Sequence, residues 1–175
     1  MIVLYILLGI LGVLVILALV APKKFDVSRS ILINRSRSDV YNYLKLINNQ
    51  DHWSPWKKKD PNMKQSTEGT DGEIGFISRW EGNKDVGSGE QELKKLVNNE
   101  EVITEIRFFK PWQSQADGYF RMKDADANQT EVTWGFTGSN KIPWNIFMLF
   151  MNMDKAVGKD FNEGLTELKK TLENS

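Results

Sequence analysis

The sequence predicts an α+β domain in which a curved antiparallel β-sheet wraps one long C-terminal α-helix, with a separate apolar helix at the N-terminus. Three observations predict it. Residues 1–21, MIVLYILLGILGVLVILALVA, contain no charged side chain. Residues 63–137 follow a two-residue hydrophobic period, interrupted by short turn signals. Near the C-terminus, Val157, Phe161, Leu165, Leu168 and Leu172 recur at steps of three or four, the spacing of one helix face.

The apolar start is long enough for a transmembrane helix, since about 20 apolar residues cross a bilayer core. A cleaved signal has a basic leader, a shorter apolar run and a small-residue cleavage site. Here no basic side chain precedes the run, Leu19 stands where a small residue is wanted, and Pro22 would follow the cut. The segment therefore reads as an uncleaved anchor, with membrane contact through residues 2–21. Lys23 and Lys24 follow directly and, by the positive-inside rule, draw the rest of the chain to the cytoplasmic face. The expected division is an anchor over residues 1–22 and one ligand-binding domain over residues 23–175.

Composition narrows the function classes. The chain has 175 residues, with 23 Lys+Arg balanced by 23 Asp+Glu, so charge gives no argument for a nucleic-acid partner. The absence of cysteine excludes disulfides, thiolate catalysis and Cys-ligated metals. Nothing in the composition sets an oligomeric state.

The elements follow in order. FDVSRSILIN alternates as a strand, with Phe25, Val27, Ile31 and Ile33 on one face. SRSDVYNYLKLINN changes to helical spacing, with Ser36 or Ser38 as N-cap. DHWSPWKKKDPN, residues 51–62, is punctuated by Pro55 and Pro61 and reads as a short helical turn followed by loop. Five or six strands then form a meander, because the intervening turns are too short for helical crossovers. Parity places Ile74, Phe76, Ser78 and Trp80 on the inner face, with Val102, Thr104, Ile106 and Phe108, then Ala116, Gly118, Phe120 and Met122, then Val132, Trp134 and Phe136. Arg79, Arg107 and Arg121 take the opposite parity. Gly164, beside the C-terminal stripe, costs about 1 kcal/mol against alanine in a helix interior, so close packing on the sheet is the reason to expect it there. Strand, two short helices, meander and long amphipathic helix make up the helix-grip arrangement.

These residues resemble the SRPBCC group of START-like domains, in particular its polyketide cyclase/dehydrase-like branch. The resemblance runs over residues 25–172. It is carried by WSPW with DP (53–56, 60–61), WEGNKDVGSGEQEL (80–93), EVTWGFTG (131–138) and GKDFNEGLTELKK (158–170). It implies a deep apolar cavity between the sheet and the C-terminal helix. It also implies a hydrophobic partner such as a lipid, sterol or polyketide, with catalysis in only some members.

Candidate cavity residues follow from parity and resemblance together. On the sheet they are Phe76, Ser78, Trp80, Gln91, Thr104, Ile106, Phe108, Phe120, Met122, Trp134 and Phe136. Trp53 and Trp56 are expected to seal one end, and Val157 and Phe161 to face the sheet from the helix. Phe147 and Phe150 belong to a run, Phe147–Met153, that reads as core or as a methionine-rich gate. The inner face offers only weak, neutral polar groups, which suits binding and orienting an apolar molecule better than proton transfer. No catalytic residue, cofactor or metal is assigned. The lone His52 reads as a loop histidine. Asp51, Asp60, Glu68, Asp71 and Glu73 read as solvated turn residues. Lys57–Lys59 reads as a solvated or lipid-facing basic run. The leading expectation is a membrane-anchored binding module for a hydrophobic small molecule. A cyclase or dehydrase enzyme and a protein-interaction regulator are the alternatives.

Overall fold

A computed structural model of the chain describes residues 1–150 and 152–174. Helix α1 runs Ile2–Val20, and strand β1 follows at Lys24–Ile33. Helix α2 (Arg37–Leu44), a 3-10 turn (Ile47–His52) and the short helix α3 (Pro55–Lys59) come next. The meander comprises β2 (Lys64–Glu68), β3 (Ile77–Glu81), β4 (Ser88–Val97), β5 (Glu101–Lys110), β6 (Ser114–Asp126) and β7 (Gln129–Ser139). A second 3-10 turn (Trp144–Leu149) leads into α4 (Met153–Glu173). The seven strands form one antiparallel sheet in the order β1-β7-β6-β5-β4-β3-β2.

Local chemistry accounts for the element boundaries. Ser36 is the N-cap of α2, its hydroxyl accepting from the Asp39 amide at 3.2 Å. Pro55 occupies the first turn of α3, where its missing N–H costs nothing. Asn152 caps α4 by accepting from the Lys155 amide at 3.0 Å. The strand expected to carry Ile74 and Phe76 begins only at Ile77. Gly69, Gly72 and Gly75 all have positive φ, so the chain turns there instead of extending. Ile74 is consequently exposed, while Phe76 is buried from a turn position.

The core lies between the inner face of the sheet and the α4 stripe of Phe161, Leu165, Leu168 and Leu172. Trp134 is its centre. Its ring stacks on Phe161 at 4.4 Å and on Phe120 at 5.6 Å, and meets Trp53 edge-on at 5.0 Å. Gly164 lies directly over it. A Cβ there would stand 2.6 Å from Trp134 Cζ3 and 3.1 Å from Pro55 Cδ. The glycine thus lets the α4 backbone sit on the indole.

The outer face carries charge. Arg79 on β3 pairs with Glu68 at 2.7 Å and Glu90 at 3.0 Å, and Arg107 on β5 pairs with Glu90 at 2.6 Å and Glu92 at 2.8 Å. Arg107 also contacts Glu105, and Arg121 on β6 reaches Glu101 at 3.0 Å. The β4–β5 register shifts twice, with Phe109 of β5 the extra residue at Ser88/Gly89 and Lys94 of β4 the extra residue at Leu93/Lys95, yet all three arginines stay outside. Hydrogen bonds from Arg107 hold the Glu90 and Glu92 carboxyls below their ordinary value, and the same bonds raise the guanidinium further.

Two tests follow. Gly164→Ala gains helix propensity but overpacks Trp134, so it is expected to lower stability by roughly 1–3 kcal/mol in urea unfolding. A carboxylate with a lowered folded pKa contributes stability above its unfolded value and loses it as pH falls through the folded one. Stability is therefore expected to drop as pH falls below the ordinary carboxylate value of 4.5. In Arg107→Met, urea midpoints across that range are expected to fall less steeply.

Candidate functional site

A cavity of about 230 Å³ opens between the sheet and the helices. Its sheet wall is built by Ser78 and Trp80 of β3, Gln91 of β4, Thr104, Ile106 and Phe108 of β5, Phe120 of β6, and Trp134 and Phe136 of β7. Trp56 of α3 and Val157 and Phe161 of α4 close the helical side.

Missing side chains make the hollow. A Cβ at Gly118 would stand 2.9 Å from Thr104 Oγ1 and 3.1 Å from Ile106 Cδ1, so the glycine leaves these groups facing open space. A Cβ at Gly89 would stand 2.7 Å from the Trp80 ring, which lies across that strand. Strand glycines here serve volume and close approach rather than turning.

One polar row crosses the apolar wall. Ser78 is the register partner of Gln91, and Gln91 Nε2 donates to Thr104 Oγ1 at 2.9 Å. Thr104 Oγ1 in turn donates to the Gly118 carbonyl at 3.4 Å. The row is neutral and can orient a carbonyl or hydroxyl on a ligand without supplying charge.

Of the other residues expected at the cavity, Trp53, Phe76 and Met122 are buried in the core and do not line it. Trp53 packs edge-on against Trp134 and Phe120, and its indole N–H is buried with no partner among the described residues. Phe147 and Phe150 correct the sequence expectation. They are 59% and 79% exposed, on a turn that packs beside α1 instead of over the sheet. Met151, in the middle of the same methionine-rich run, lies outside the described residues.

Sequence periodicity missed the rim. Ile47, Asn48, Gln50, Asp51 and Ser54 line the cavity from irregular backbone, joined by Met63, Gln65 and Val86. Gln65 Nε2 donates to Asp51 Oδ1 at 2.8 Å, and Lys57 Nζ lies 3.9 Å from Asp51 Oδ2 and donates to Gln65. Asp51 thus belongs to the rim, where the sequence had suggested only a solvated turn. Three of the other acids have structural partners. Asp71 accepts from the Ile47 and Asn48 amides, Asp60 from the Asn83 amide, and Glu68 from Arg79. Tyr119 borders the cavity between Gly118 and Phe120, but its ring takes the outer parity beside Arg121; its hydroxyl donates to Asp26 at 2.7 Å, and burial, its largest influence, pushes the phenol pKa up. Lys58 pairs with Glu167 and Lys59 with Asp160, so the basic run is answered within the domain. His52 is exposed, with Nδ1 3.3 Å from the Tyr43 hydroxyl.

No family model matches the sequence, and no curated protein matches it. Solved structures do. The chain superposes on the di-domain aromatase/cyclase StfQ of the steffimycin biosynthetic pathway with a TM-score of 0.61 at 10% identity, over 87% of this chain and 51% of StfQ. It has the helix-grip fold. Ginseng (Panax ginseng) major latex-like protein 151 shares that fold with a TM-score of 0.58 at 12% identity, over 86% of this chain and 98% of that one. Aha1 from Colwellia psychrerythraea gives 0.52 at 23% identity, over 85% and 96%.

Trp56 meets Trp134 at 5.6 Å and Phe161 at 6.2 Å, both edge-on, so it joins α3 to the cavity's aromatic wall. Trp56→Ala is expected to lower stability by about 2–4 kcal/mol in urea unfolding, the scale of large-to-small changes in packed aromatics.

Proposed function

We propose that the chain is a membrane-anchored binding domain for an apolar small molecule of the lipid, isoprenoid or polyketide-like classes. The observation that carries this reading is the cavity, walled by Trp, Phe, Ile and Val side chains and crossed by the neutral row of Ser78, Gln91 and Thr104. Its volume of about 230 Å³ is below the usual range of roughly 300–1,000 Å³ for ligand pockets. It suits one isoprenoid or acyl tail with a small polar group better than a two-tailed phospholipid. Proteins of this fold include a polyketide aromatase/cyclase, which fits a polyketide-like ligand and the branch that the sequence motifs resemble.

The anchor is α1, whose 19 residues rise about 28 Å, close to the thickness of a bilayer core. The positive-inside bias of Lys23 and Lys24 favours the cytoplasmic face for the domain.

A second reading, a cyclase or dehydrase, has one observation in its favour: Asp51 at the rim is an ionisable group in reach of a bound molecule. Binding is the better reading, because the interior wall beyond that rim presents neutral side chains.

The test is to purify the full chain and its Ser78→Phe variant in detergent, extract each with organic solvent and compare the extracts by mass spectrometry. The expected result is one apolar species retained by the parent chain and reduced at least about tenfold by the plug, equivalent to about 1.4 kcal/mol of binding. Bulk lipids carried by α1 are expected at equal levels in both. Identical extracts would overturn the reading.

A further inference from the structure

Among the described residues that follow α1, nine large apolar side chains stand exposed. Seven of them lie at one end of the sheet. Phe109 and Trp112 are at the β5–β6 turn, and the other five lie between Ile142 and Phe150. Trp112 is 69% exposed and Trp144 65% exposed. Trp144 and Phe147 stack with their rings 8° apart.

This is also the end where α1 arrives. Lys24, the first residue of β1, pairs with Ser139, the last of β7, and Ser114 at the start of β6 pairs with Phe108 near the end of β5. Asn145 fixes the junction. It is fully buried, and its side-chain amide donates to the carbonyls of Ala18 at 2.7 Å and Ala21 at 3.1 Å. Those carbonyls have no intrahelical partner because the helix stops there. The exposed aromatic segment is thereby bound to the last turn of α1. Lys23, Lys110 and Lys141 stand in the same strand ends and loops.

We infer that this end of the domain is seated in the interfacial zone of the bilayer that α1 spans, with the Trp112 turn and residues 142–150 immersed in it. The inference rests on α1 being a membrane span. Tryptophans concentrate at the level of the headgroups, where one part of the ring meets hydrocarbon and the N–H meets water. Lysines are favoured beside anionic headgroups. A helix end bound to an exposed aromatic turn puts both at that depth. Seated this way, the domain holds the apolar end of its cavity over the membrane, since Trp80 and Phe108 lie within two residues of the same strand ends. Ile47 and Asn48, tied through Asp71 to the β2–β3 turn, line the far end.

The cysteine-free chain allows a direct test. Trp112→Cys and Phe147→Cys, with Ile74→Cys as an exposed control in the β2–β3 turn, are each labelled with NBD in the full chain. The labelled proteins are reconstituted in phosphatidylcholine/phosphatidylglycerol vesicles. Labels at 112 and 147 are expected to brighten severalfold, shift to the blue and be quenched by lipid-borne nitroxide, while the label at 74 stays aqueous. Chains that float with the vesicles but give aqueous signals at 112 and 147 would overturn the inference and leave the anchor intact. Blue-shifted labels without nitroxide quenching would assign the face to a protein partner or a second copy, and also overturn it. Chains that fail to float would overturn the anchor reading and this one together.

Discussion

Trp134 must receive a helix backbone, and the rest of the domain is arranged around that requirement. Gly164 is the position on α4 that allows it. With the backbone on the indole, Phe161 stacks on one side of the contact, and Leu165 and Leu168 drop into the core on the other. Pro55 and Trp56 then fit beside the same glycine and ring, which places α3. The cavity begins where this packing ends. Its volume depends on how closely α4 approaches the sheet, and one methyl group at residue 164 would alter that approach.

The sheet separates two kinds of chemistry by parity. Inside are aromatic and branched side chains, with space left by Gly89 and Gly118. Outside, Glu68, Arg79, Glu90, Arg107 and Glu92 alternate in sign from β2 to β5. Partly exposed ion pairs of this kind contribute little singly, but a linked series holds strand register. A slip of one residue would turn these charges into the cavity and the aromatics to water. The ladder therefore protects the apolar interior from the opposite face.

The residues that sequence pattern located and those that it missed differ in backbone regularity. Thr104, Ile106 and Phe108 were legible because an antiparallel strand alternates strictly, and the two register shifts between β4 and β5 flank this stretch without entering it. Gly164 was legible because a glycine inside a strong helical stripe needs a packing reason. Ile74 was misplaced because three positive-φ glycines break the period before β3. Asp51 and its neighbours on the rim were missed because a 3-10 turn carries no hydrophobic period. Phe147 and Phe150 were misassigned for a different reason. An apolar run without periodicity does not say what it packs against, and here that neighbour is the end of α1 and not the sheet.

Strand β2 has a consequence for how the wall fluctuates. It pairs with β3 alone, at the edge of the sheet, and all five of its residues are exposed. Releasing it breaks one ladder of hydrogen bonds and uncovers almost no apolar surface, so its opening free energy is far below that of global unfolding. Gln65, in this strand, is the register partner of Trp80 and also holds the rim through Asp51. β2 is therefore the strand of the sheet that opens most readily. The cavity's time-averaged closure is set by the strand that contributes least to stability.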